Sequence, residues 1–402
     1  MKINIWKDYK YMELPEVLSF IVDNRGKSVP LDKKGEHKLI ATNCIRNEYL
    51  YPTYEKIRFL NDDTYQNWFR AHPIPGDIIF VNKGTPGRVC MVPDPVDFCI
   101  AQDMMAFRVD SSIIYNKYLF AVLRNSRIQK QIEATTVGDV IPHFKKQQLK
   151  EIKIPIPPMR IQKLIGDVYF SFCQKEEINN RINRNLYEQA VALFEAMYQG
   201  YPVKKIGELD IFVTDYVANG SFASLKENVI ILEEKNYAYF IRNVDLKAKE
   251  FPRFVNQNSY EFLSKSKLVG GEVIISNVGD VGSVFLCPKL DGPMTLGNNM
   301  IMLTSPKHNN YLYLFFKSYI GQGKIGGITG GSAQPKFNKT DFKSLEINYP
   351  DESQVDEFNE KTSALLDMIS KLDEENKRLT ALRDSLLPKL MSGELDISDL
   401  DI

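Results

Sequence analysis

Mostly apolar positions step through the C-terminal segment by fours and threes: after Phe358 come Thr362, Leu365, Ile369, Leu372, Asn376, Leu379, Arg383, Leu386 and Leu390. This is the spacing of a coiled-coil seam. Leucine holds every second seam position, and Asn376 falls on the other set, where a polar residue fixes register at some cost in stability. A second series runs Ile165, Tyr169, Phe172, Glu176, Asn179, Asn183, Leu186, Ala190, Leu193 and Met197, with Glu176 and Asn179 interrupting it. Each pattern predicts a helix of about thirty-five residues, about 50 Å long. Pro388 lacks an N–H and crowds the preceding turn, so the second helix is expected to end or kink near Leu387. Both helices follow a proline junction and are long and narrow-seamed for the flank of a small module. They are therefore expected to pair with each other, antiparallel, as a rod.

Upstream of each helix the chain repeats itself. The stretch GDVIPHFKKQQLKEIKIPIPP, Gly138 to Pro158, returns as GGSAQPKFNKTDFKSLEINYPD from Gly330. An offset of 193 aligns Gly138, Pro142, Phe144, Lys146, Lys150, Ile154 and Pro157 with Gly331, Pro335, Phe337, Lys339, Lys343, Ile347 and Pro350. An offset of 195 matches GDIIFVNKGTPGRV from Gly76 with GEVIISNVGDVGSV from Gly271, so that Gly76, Asn82, Gly84, Gly87 and Val89 recur as Gly271, Asn277, Gly279, Gly282 and Val284. Near-equal offsets mean that the two halves share one layout. The chain is expected to be an α+β tandem duplication: a β-rich module over 1–155, a helix over 156–199, a second module over 200–349, and a second helix with its tail over 350–402.

Composition narrows the class. At 402 residues, 44% hydrophobic and 25% charged, the chain has the make-up of a folded soluble protein of two or three domains. It contains no apolar run of membrane-spanning length, and MKINIWKDYKYMELPEV has no apolar signal core, so a cytoplasmic location is expected. Cys44, Cys90, Cys99, Cys173 and Cys287 form no CxxC and read as reduced core thiols. The overall net charge of zero hides two mildly basic modules, +5 over 1–155 and +3 over 200–349, and an acidic C-terminal segment of −8 over 350–402. Basic β-rich modules with Asn, Gln, Ser, Lys and Arg in their loops suit phosphate contacts and base-edge readout.

Catalytic patterns are harder to find. His37, His72, His143 and His308 lie scattered without metal-ligand spacing. NKGTPGR lacks the order of a phosphate-cradling loop and reads as a tight turn, with glycine where φ is positive. Asp94, Glu151 and Lys153 are the residue types of a metal-dependent nuclease, but nothing in the spacing ties them together.

The chain resembles the specificity subunit of type I restriction-modification systems over nearly its whole length. The resemblance rests on IKIPIPPMRIQKLIGDVY leading into NNRINRNLYEQAVALFEAMY, on GDIIFVNKGTPGRV, and above all on the ending LRDSLLPKLMSGELDIS. It implies two target-recognition domains, each reading one half of a split double-stranded DNA target, and an antiparallel coiled coil of two helices whose length sets the gap. It also implies no catalysis and no bound cofactor in this chain. Two methyltransferase subunits, carrying S-adenosylmethionine, and restriction subunits, using ATP and Mg, would supply the chemistry. The alternatives are a metal-dependent DNA endonuclease built on Asp94, Glu151 and Lys153, or a coiled-coil scaffold without DNA.

Candidate DNA contacts are polar or basic loop residues. In the first module they are Arg25, Lys27, Asn43, Lys83 and Arg88; in the second, Asn219, Ser221, Arg242, Asn243, Asn277 and Ser283. Lys146 and Lys339 are the candidates for phosphates. Arg or Lys suits guanine and Asn suits adenine.

Overall fold

The computed structural model describes residues 4–24, 26, 28–138, 141–331 and 333–395. It divides into two units, Met1–Ile182 with Leu372–Ile402, and Asn183–Lys371. The division falls inside both long helices, Met159–Met197 and Glu352–Ser392, so each unit contains part of each.

In the first unit, Ile78–Val81 is buried at every position, because both of its faces are covered. Ile78 and Phe80 point into one core with the helix residues Tyr118 to Leu123, while Ile79 and Val81 join Ile40, Phe98 and Ile100 in another. A strand sandwiched in this way reads as an unbroken apolar run rather than an alternating one. It lies in a four-stranded antiparallel sheet in the order Leu18–Val22, Met104–Val109, Ile78–Val81, Val89–Met91. A three-stranded sheet, Arg58–Leu60, His37–Ile40, Phe98–Ile100, carries the unit's parallel pair, His37–Ile40 beside Phe98–Ile100. The repeated segment closes the unit as a strand: Lys153–Pro155 pairs antiparallel with Tyr11–Glu13, Met12 opposite Ile154.

The second unit repeats the plan. Val273 and Ile275 enter one core and Ile274 the other. Its four-stranded sheet runs Phe212–Asp215, Met300–Thr304, Val273–Ser276, Val284–Leu286. The smaller sheet has grown to five strands, and the closing ribbon is Val203–Lys205 with Glu346–Asn348. Each unit also has a helical hairpin. In the first, the Asn125 side chain caps Ser126–Thr135 by accepting from the Arg127 N–H at 2.9 Å; in the second, Ser318 caps Tyr319–Ile328.

The long helices pair antiparallel. In the first unit, Leu164 packs with Leu390, Glu176 meets Arg383 at 2.8 Å, and the Asn179 amide donates to Asn376 Oδ1 at 2.9 Å, so one number rises as its partner's falls. Asn376 in turn donates to Asn180 at 3.0 Å. The two interruptions seen in the sequence are thus matched by polar residues of the opposite seam. In the second unit Ala190 and Phe194 share a core with Phe358 and Leu366. Gly166 allows close approach to the helix Asn116–Arg124, since a Cβ there would lie 2.6 Å from the Tyr118 nitrogen.

The second helix does not end at Pro388 but continues through it to Ser392. Leu387, Leu390 and Met391 are all buried in the first unit, and keeping them there outweighs the hydrogen bond that proline forfeits. Among the described residues no helix is long and apolar enough to cross a membrane.

The pair Glu176–Arg383 is nearly inaccessible, at 6% and 8% residue exposure. Burial pushes the Glu176 carboxyl up, against the Thr380 hydroxyl and the Arg383 guanidinium. Replacing Arg383 by Met is expected to destabilise the protein by roughly 3–5 kcal/mol, because it leaves a buried carboxylate unpaired. The double replacement by Leu at both positions is expected to recover most of that loss, and urea unfolding of the two variants checks both.

Candidate nucleic-acid interface

The two echoes found separately in the sequence are two sides of one structural device. In the first unit the turn after Ile78–Val81 bridges to the loop before the closing strand, Lys83 opposite His143. Around this bridge the Gly84 N–H donates to the Pro142 carbonyl at 2.9 Å and the Phe144 N–H to the Asn82 carbonyl at 2.7 Å. The second unit repeats the arrangement, with Val278 opposite Lys336, Gly279 donating to Pro335 at 2.8 Å and Phe337 to Asn277 at 3.1 Å. Behind the bridge, the Asn82 N–H donates to the Asp103 carbonyl at 2.9 Å and that of Asn277 to the Asn299 carbonyl at 3.0 Å. Asp103 and Asn299 have φ of 69° and 63°, a left-handed conformation that Asp and Asn tolerate better than most residues.

A glutamine clamps each turn from the helical hairpin. Gln129 Nε2 donates to the carbonyls of Gly87 at 3.0 Å and Leu123 at 2.5 Å; Gln322 Nε2 does the same to Gly282 at 2.9 Å and Phe316 at 2.6 Å. The clamp requires glycine beneath it. Gly87 and Gly282 have φ of 93° and 91°, and a Cβ on either would press within 2.9 Å and 2.7 Å of the glutamine oxygen. Neither glutamine was singled out from the sequence, although they are identical at the offset of 193.

The candidate contacts sort into several settings. Arg25 and Lys27 lie outside the described residues. Lys83 stands at the bridge, 3.7 Å from Asp103, and Arg88 lies half-buried in the same turn. Lys146 and Lys339 hold duplicated ion pairs, with Asp23 at 3.5 Å and Asp215 at 3.3 Å. Asn43 donates to the Glu55 carbonyl at 2.8 Å. Asn219 ties Tyr216, Ser266 and Lys265 together, and Ser221 caps the helix Phe222–Asn228. Arg242 is bound through two nitrogens to Asp245. Asn43, Asn219, Ser221 and Arg242 thus shape their loops through local bonds.

Asn243, Asn277 and Ser283 surround the second turn. Asn277 donates to the Phe337 carbonyl at 3.2 Å. Asn243, Ser283 and Lys247 converge on Asp280, at 3.0, 2.7 and 2.6 Å. Burial opposes the charge on Asp280, yet these three donors hold its carboxyl down at about 2. In the first unit, Asn82, Lys83, Arg70, Gln102, Asp103 and His143 line a polar cleft of about 540 Å³. Lys153, one of the nuclease candidates, is paired with Glu13 at 2.8 Å.

Comparison with known proteins places this geometry in context. The family described as type I restriction modification DNA specificity domain matches residues 8–188 and 217–382. The putative type I restriction enzyme MjaX specificity subunit of Methanocaldococcus jannaschii is 20% identical, over 97% of this chain and 94% of its own. The type I restriction enzyme HindI specificity subunit of Haemophilus influenzae is 21% identical, over 80% and 86%. In fold, the chain is similar to the crystal structure of the S subunit of the type I restriction-modification system from M. genitalium, with a TM-score of 0.57 at 16% identity, covering 97% of this chain and 98% of that one.

Two expected outcomes follow from the loop geometry. Gln129→Ala removes both hydrogen bonds of the first clamp and is expected to lower stability by about 1–3 kcal/mol in chemical denaturation. Asp280 has a folded pKa below its ordinary 3.8, so its contribution to stability is fully present above that value and is lost as pH falls toward about 2. Asp280→Asn is expected to flatten the acid limb of the unfolding profile between about pH 4 and pH 2.

Proposed function

Because this chain belongs to the family of type I restriction-modification DNA specificity domains, we propose that it is the sequence-reading subunit of such a system, each module reading one half of a bipartite DNA target. One observation carries this reading: the same bridged-loop frame occurs twice and presents different side chains each time, Lys83 with His143 and Val278 with Lys336. Two copies of one frame with unlike surfaces are what two unlike half-sites require. The paired helices act as the spacer, and their length sets the gap between the halves.

Catalysis belongs to partners. Two methyltransferase subunits dock along the helices, where Ile178 and Ile182, one turn apart, are 45% and 40% exposed. They bring S-adenosylmethionine and the pocket into which the target base is flipped, while restriction subunits bring ATP- and Mg-dependent cleavage. The chain itself supplies no cofactor site in this reading, and works in the cytoplasm where DNA and partners meet. Affinity comes largely from phosphate contacts and is expected to fall steeply with salt.

Insertion of one heptad into each long helix tests the spacer. Each heptad adds about 10.5 Å, or about three base pairs at the rise of DNA. Methylome sequencing of cells expressing the variant with its methyltransferase is expected to show both half-sites unchanged and the gap lengthened. An unchanged gap overturns the spacer role, and the absence of any split motif in the parent overturns the specificity role.

A further inference from the structure

The bridge in the first module carries chemistry that its fold does not use. Asn82 is 1% exposed, yet among the described residues neither Nδ2 nor Oδ1 of its amide has a partner. An unpaired buried polar atom costs about 1–3 kcal/mol, so two on one side chain are an arrangement that folding alone disfavours. Asn82 is among the residues lining the polar cleft of about 540 Å³ whose walls include Lys83, His143, Gln102 and Asp103. Lys83 sits 3.7 Å from Asp103, too far for a hydrogen bond, which leaves a three-donor ammonium and a carboxylate side by side at the cleft.

That pairing suits a base pair better than a phosphate. A phosphate offers only acceptors and would meet the Asp103 carboxylate beside Lys83. The major-groove edge of a G·C pair offers acceptors N7 and O6 on guanine and, next to them, a donor amine on cytosine; Lys donates to the former and Asp accepts from the latter. In the second module the same backbone positions hold Val278 and Lys336, the left-handed residue is Asn299 in place of Asp103, and the Asn277 amide donates to the Phe337 carbonyl. The frame is kept and the donor–acceptor set is replaced.

We propose that the loop bridge is the specificity-determining element of each module, and that in the first module Lys83 and Asp103, with His143 beside them, take the major-groove edge of a G·C base pair at the cleft lined by Asn82. The inference rests on the bipartite-readout function and adds to it which residues read and which base pair one of them selects. Val278 in the second module presents an apolar surface suited to a thymine methyl group.

The test uses the full chain assembled with its methyltransferase subunits and a DNA library randomised across both half-sites, with the bound fraction sequenced. The parent is expected to select a split motif containing a G·C pair in one half. Lys83→Gln is expected to lose preference for that pair by roughly ten- to hundredfold, with every other position retained. Lys83→Arg, which keeps the donors, is expected to retain guanine. The double variant K83V/H143K, which copies the second module's bridge, is expected to change the same position. The other half-site, read in the same molecules, reports that the protein is folded; should the double variant lose both halves, the Lys83→Gln result decides. Selection by Lys83→Gln of the parent motif at undiminished stringency overturns the proposal, as does an equal weakening at all positions, the signature of a phosphate contact. A parent that selects no split motif instead overturns the underlying function.

Discussion

The antiparallel pairing of the two long helices is the constraint on which the rest depends. Each unit uses a stretch of both helices as part of its own core: Tyr169 and Cys173 with Leu387 and Met391 in the first, Ala190 and Phe194 with Phe358 and Leu366 in the second. Slippage of one helix along the other would therefore pull apolar side chains out of a packed core, not merely shift a coiled-coil seam. The polar residues at mid-helix make slippage still more costly. Asn179, Asn180 and Asn376 bond among themselves, and Glu176 is held by Thr380 and Arg383, so any other register would bury these groups without partners. A buried ion pair contributes little net stability compared with apolar residues of similar volume, and its effect here is to select one alignment.

On that support the duplicated modules keep what positions the loops and vary what the loops present. The kept parts are backbone-directed. Gln129 and Gln322 donate only to main-chain carbonyls, Gly87 and Gly282 supply left-handed turns, and the bridge itself is made of main-chain bonds. None of these depends on the side chains at positions 83, 143, 278 and 336, which are consequently able to change without disturbing the frame. Rigid backbone support under variable side chains is the arrangement that sequence readout needs, since a misplaced donor loses its discrimination. The second module shows how far the variation extends. Its turn is braced by Asp280, gathered by Asn243, Lys247 and Ser283, whereas the first turn carries Lys83 and has a polar cleft beside it.

The sequence by itself determined the features that depend on local period and on repetition. Seam spacing disclosed both long helices, and the offsets of 193 and 195 disclosed the duplication. These were legible because they repeat along the chain, whatever it packs against. Only the tertiary structure decided the partnerships. It brought the two echoes together as one bridge, matched Glu176 and Asn179 to Arg383 and Asn376, and carried the helix through Pro388 because Leu387, Leu390 and Met391 are buried around it. It also separated the candidate contacts, setting Lys83 at a cleft while engaging Asn219 and Ser221 in loop and cap bonds. The physical reason is the same in each case: a side chain's role is set by neighbours far away in sequence, and a single chain read in order does not show which polar groups will find one another.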